Sequence, residues 1–149
     1  MSNLEDAQAI NHMINGIFET SLGWTGEGSS MEETTFDPSY HVAAEVDVFG
    51  AWKGKVIVSC EKEVARKTAA QMFRIGAESL PLEAVHDAIG ELSNMIGGNL
   101  TTFLPEVCNL STPKVTTGEG RFNTTQPVWR QCTVRGPHGP VEVTVSDLN

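Results

Sequence analysis

The chain has 149 residues, 40% of them hydrophobic, with 19 acidic against 10 basic side chains and a formal charge of −9 at pH 7. Such a length and composition exclude a disordered chain and predict one domain, residues 1–149, able to bury a real core. The charge argues against nucleic acid or an anionic membrane as partner, and no apolar stretch reaches the ~20 residues that cross a bilayer.

The acidic start, Met1 to Asp6, lacks the basic beginning and apolar middle of a signal peptide, so a cytoplasmic location is expected. Ser2 and Glu5 have the spacing of a capping box, and Ile10, Met13, Ile14, Ile17 and Phe18 recur at helical period. A first helix is predicted from about Leu4 to Ser21, ended by Gly23. Trp24 to Ser39 is rich in Gly, Ser, Thr and Glu and reads as a loop, with a short strand near Thr34 to Phe36. From His41 the pattern alternates, with Val42, Ala44, Val46 and Val48 on one side and Glu45 and Asp47 on the other. A turn over Gly50 to Gly54 returns the chain as a second strand, Lys55 to Cys60. Its consecutive Val56, Ile57 and Val58 suit a more central position.

A second helix is predicted over Lys62 to Ile75, burying Val64, Ala65, Thr68, Ala69, Met72 and Phe73, with Gly76 as the left-handed residue past its end. A third helix is read from Leu82 to Leu104. Ser79 caps it, Pro81 stands in its first turn and Pro105 stops it. Strands follow around Val107 to Ser111 and Lys114 to Thr117, then a turn at Gly118 to Gly120. The chain closes in a hairpin of Val128 to Arg135 and Val141 to Ser146, with Val141, Val143 and Val145 facing inward. The element order predicts an α+β fold, helices packed on a largely antiparallel sheet.

The third helix carries two stripes. Val85, Ile89, Leu92, Ile96, Leu100 and Phe103 form the core stripe. Asp87, Glu91, Asn94, Gly98 and Thr101 form the other. Glu91 and Asn94 sit about 60° apart around the axis and roughly 4.5 Å apart along it, so their side chains leave the same face. A solvated face would account for such a stripe. Gly90, Gly97 and Gly98, however, each cost roughly 1 kcal/mol in a helix interior. They call for close approach by another backbone, either within the fold or from a docked protein.

At Gly90-Glu91-Leu92-Ser93-Asn94-Met95-Ile96, followed by Gly98-Asn99, the chain resembles the signature helix of the CheX, CheC and FliY phosphatases of bacterial chemotaxis. With one copy of the glutamate–asparagine motif it is more similar to CheX than to CheC, which carries two. The resemblance implies a CheC/CheX-like fold, often a homodimer with sheets joined across subunits. It also implies hydrolysis of the aspartyl phosphate of a CheY-type receiver domain. Glu91 and Asn94 would be catalytic, entering the receiver pocket. Asn94 would align the attacking water, and Glu91 would pair with the receiver's lysine. Asp87, Gly98 and Thr101 would lie on the docking surface. The protein would need no cofactor of its own, because the Mg2+ belongs to the receiver. Two other functions share this face: a binding module that sequesters phosphorylated receivers, and a structural part of a flagellar switch or sensory complex.

Other chemistry has little support. No Ser-His-Asp or Cys-His arrangement and no Gly-rich phosphate loop is visible. Cys60, Cys108 and Cys132 read as reduced thiols, and the four histidines lack metal-ligand spacing. The sequons at Asn99, Asn109 and Asn123 are meaningless without secretion.

Overall fold

The computed structural model describes residues 7–24, 40–104, 107–120 and 122–149. Helix α1 spans Ala7–Leu22, α2 Lys62–Phe73 and α3 Leu82–Leu100. The strands are β1 Tyr40–Gly50, β2 Gly54–Glu61, β3 Cys108–Leu110, β4 Lys114–Glu119, β5 Val128–Gly136 and β6 Gly139–Asp147. The expected capping box at Ser2 and Glu5 and the short strand near Thr34 lie outside the described residues.

Every strand pairing is antiparallel. The strand order is β3-β1-β2-β6-β5, and β4 pairs the same strand β1 further along. β2 is therefore the middle strand, as its unbroken Val56-Ile57-Val58 run implies. β3 and β4 act as one edge interrupted at Ser111 to Pro113. There the Ser111 N–H donates to Asp47 O (2.9 Å) and the Asp47 N–H donates to Ser111 Oγ (2.9 Å). A proline suits this break because it has no N–H to give to a ladder.

The helices cover one face of the sheet. Val42, Ala44 and Val48 of β1, Val56 and Val58 of β2, and Val141, Val143 and Val145 of β6 pack into a buried cluster. From above, α1 adds Ile10, Ile14 and Phe18, and α3 adds Val85, Ile89, Leu92, Ile96 and Leu100. Burying such a side chain stabilises by roughly 1.5–3 kcal/mol, so the five on α3 hold it firmly against the sheet.

Several boundaries differ from the sequence reading. α2 stops at Phe73, and Arg74 rather than Gly76 takes the left-handed conformation (φ 58, ψ 42). The N–H groups of Arg74 and Ile75 both return to Ala70 O, closing the helix early in a Schellman-like turn. Gly76 is extended (φ −64), and Phe73 is 44% exposed instead of buried. Ser79 belongs to a separate 3-10 turn, Ala77–Ser79, so Pro81 is the N-cap of α3. At the far end α3 stops at Leu100, and a 3-10 turn, Thr101–Phe103, carries the chain to Leu104. The Thr101 and Thr102 hydroxyls donate back to Gly98 O (2.6 Å) and Asn99 O (2.7 Å), which favours this tightening. Leu104 is extended (ψ 144), as a residue before proline should be. β4 runs on to Glu119, so Gly118 is a strand residue opposite His41 and not part of a turn.

Candidate active site

The face of α3 that points away from the core carries the residues singled out in the sequence. Asp87 and Glu91 are exposed, while Asn94, Gly98 and Thr101 are half-buried. Among the described residues, the side chains of Asp87, Glu91 and Asn94 make no hydrogen bond or ion pair. The contrast with neighbours on the same helix is informative. Ser93 Oγ donates to Gly90 O (3.1 Å) and Asn99 Nδ2 donates to Met95 O (2.9 Å). Both are folded back onto the helix backbone. Asn94 keeps a carbonyl and an NH2 group free, able to accept and donate at once. Thr101 differs again, since its hydroxyl proton is used on Gly98 O.

The three glycines separate into two kinds. A Cβ on Gly90 would stand 3.2 Å from Pro113 Cβ and 3.5 Å from Val115 Cγ2. On Gly97 it would stand 3.3 Å from Leu110 Cδ2 and 3.4 Å from Val46 Cγ1. These two glycines let α3 settle on β1 and on the β3–β4 edge, so the reason for them is internal packing. Gly98 is different, with only Leu110 Cδ1 at 3.9 Å. Nothing among the described residues requires a glycine there, and it lies on the same stripe as Glu91 and Asn94.

Two features frame this stripe. On one side is the exposed Pro113 of the β3–β4 break. On the other is a groove of about 420 Å3 between α1 and α3, lined by His12, Met13, Gly16, Thr20, Met95 and Asn99. Gly16 was not singled out in the sequence. It stands mid-helix in α1 with none of the described residues within 4 Å of a Cβ, and the available signal was a glycine inside a helical period. Among the described residues, no three His, Cys, Asp or Glu side chains are grouped to hold a metal ion. Nor is any helix there long and apolar enough to cross a membrane.

The family model described as chemotaxis phosphatase CheX matches residues 42–134, more than half of the chain. The chain belongs to the CheX family. The matched stretch runs from β1 into β5 and contains the whole of α3, including Glu91 and Asn94. No curated protein matches the sequence. Among solved structures, CheX from Desulfovibrio desulfuricans is 22% identical with a TM-score of 0.70, over 95% of this chain and 97% of that one. CheX from Vibrio vulnificus is 16% identical with a TM-score of 0.71, over 92% of each chain. A CheX-CheY-BeF3-Mg2+ complex from Borrelia burgdorferi contains a chain 17% identical with a TM-score of 0.69, covering 95% of this chain and 97% of that one. At these identities the likeness is one of fold, and it bears out the α+β, CheX-like architecture read from the sequence.

Proposed function

We propose that this CheX-family protein hydrolyses the aspartyl phosphate of a CheY-type receiver domain, using the exposed face of α3. The observation that carries the reading is the uncommitted Asn94 amide, one turn from the exposed Glu91 on a helix whose other side is locked into the core. The relative crystallised as a CheX-CheY-BeF3-Mg2+ complex supports a CheY-type partner.

An aspartyl phosphate is already reactive, so its hydrolysis needs an aligned water and neutralised charge more than a new nucleophile. Asn94 enters the receiver pocket and orients the attacking water; its amide accepts and donates while staying neutral beside the phosphoryl group. Glu91 pairs with the receiver's lysine and sets the register of the helix. The Mg2+ is the receiver's own. Asp87, Gly98 and Thr101 widen the contact, with Gly98 allowing a close backbone approach. The protein acts in the cytoplasm, as a single CheX-like unit that pairs with a second copy.

Sequestration of phosphorylated receivers would use the same face without turnover. The two readings separate when phosphorylated receiver is mixed with a small molar fraction of this protein in Mg2+. Phosphate release beyond one equivalent per protein, and faster than from the receiver alone, supports catalysis. Loss limited to a stoichiometric amount, or none despite binding, rules the phosphatase out.

A further inference from the structure

At the opposite edge of the sheet from the β3–β4 break, the end of α2 meets the β5–β6 hairpin in a cluster of three cations and a histidine. Lys67 and Arg74 come from α2 and its cap, Arg135 and His138 from the hairpin. They surround Gln71, whose Oε1 accepts from Trp24 Nε1 (3.1 Å) and faces His138 Nε2 (2.9 Å). Hollows of about 520 Å3 and 400 Å3 open on the two sides of Gln71. In a chain of net charge −9, Lys67, Arg74 and Arg135 are exposed and make no ion pair among the described residues. Glu63, in the first turn of α2, is bound to Arg66 and reaches Lys67 only through its field, and Glu78 lies against Gly76 and acts on Arg66.

The geometry points to this patch as the docking surface for an acidic, amphipathic segment of a second partner protein, separate from the receiver. Its charge and shape choose this occupant over a small anion. Lys67 and Arg74 are seven residues apart, about 10 Å between their backbone positions along a helix, and a small anion held by both would leave the surface between them uncovered. The floor between them is apolar, with Ala70, Ile75 and Ala77, and Ile75 is 47% exposed. An occupant with carboxylates about two helical turns apart and an apolar side chain between them satisfies both features. His138 adds to the argument. Burial first, and then the charge of Lys67, hold it below the usual histidine range, so Lys67 stands close enough to impose its positive field on the ring.

Arg74 is the only non-glycine residue with positive φ among the described residues. A cation near a helix C-terminus complements the helix dipole. Glycine would nevertheless serve the left-handed position better, so retaining arginine there costs stability. This gives a variant that separates fold from docking.

The probe is a fluorescein-labelled amphipathic peptide with glutamates two helical turns apart, alongside its lysine-for-glutamate counterpart and inorganic triphosphate. Anisotropy titrations and the Trp24 indole N–H resonance follow binding. The acidic peptide is expected to bind the wild type, shift the Trp24 signal and weaken with salt. Arg74→Gly should melt higher yet bind about three- to fivefold more weakly. Lys67→Glu with Arg74→Glu should lose at least about tenfold, with receiver dephosphorylation unchanged in both variants. Equal binding of either peptide, undiminished binding by the variants, or no binding to the wild type would overturn the proposal. Displacement by equimolar triphosphate would also overturn it, identifying a small-anion site instead.

Discussion

Pro113 presses on Gly90 so closely that a Cβ at residue 90 would stand 3.2 Å from the proline Cβ. The proline ring has little freedom to retreat, whereas Gly98 has only Leu110 Cδ1 at 3.9 Å. Alanine should therefore act oppositely at the two positions. Gly98→Ala gains helix propensity of up to about 1 kcal/mol and should unfold at higher urea concentration. Gly90→Ala should lose that gain to the clash and show no rise, or a fall, in its urea midpoint. If Gly98 serves docking, its alanine variant should also bind phosphorylated receiver more weakly while being more stable. A matched gain at both positions would show that α3 is not held by the β3–β4 break.

Glu91 stands exposed and without a partner among the described residues, so its replacement should leave the fold intact. Glu91→Ala is expected to weaken receiver association in low salt. The defect should shrink as salt rises, because a partly exposed ion pair is screened. Binding measured at two ionic strengths checks this, and an equal defect at both would remove the ion pair from the account.

Much of this was legible in the sequence because period and burial agree. Val42, Ala44, Val46 and Val48 alternate and are buried; Val85, Ile89, Leu92, Ile96 and Leu100 keep helical period and are fully or almost fully buried. The stripe of Asp87, Glu91 and Asn94 also lies outward as its spacing requires. What escaped was set by contacts between distant segments. The roles of Gly90 and Gly97 depend on Pro113, Leu110 and Val46, which no local pattern reveals. The ends of α2 and α3 depart from the sequence pattern because an arginine takes a position that glycine usually fills, and threonine hydroxyls tighten the last turn. The cluster around Gln71 joins α2 to a hairpin more than sixty residues away.

Cys60 and His138 give opposite pH signatures. Burial, and secondarily the Glu61 carboxylate, push the Cys60 thiol up from 9.0 to about 12. Its contribution to stability is thus complete below 9.0 and is lost as pH rises toward 12. His138 is held below 6.5, so its contribution is complete above 6.5 and is lost as pH falls through its folded value. Thiol labelling at mild alkaline pH checks the first. The half-buried Cys108 should react in the native protein, and Cys60 and Cys132 only after unfolding. Proton NMR of the His138 ring checks the second, with a midpoint at or above 6.5 as the contrary result.

The amide of Asn94 is the centre of the proposed chemistry, and it can be removed without touching the core. Asn94→Ala should keep the fold and receiver affinity while slowing phosphate loss by about 10²–10³, the usual effect of losing one preorganised hydrogen-bonding group. Asn94→Asp keeps the size and an acceptor but loses the donor and adds a negative charge beside the phosphoryl group, so it should be inactive as well. The deciding measurement is single-turnover dephosphorylation of a phosphorylated CheY-type receiver by saturating protein in Mg2+. The account predicts that both variants bind the receiver but fall at least about a hundredfold below the wild type in rate. Wild-type turnover by either variant would contradict it.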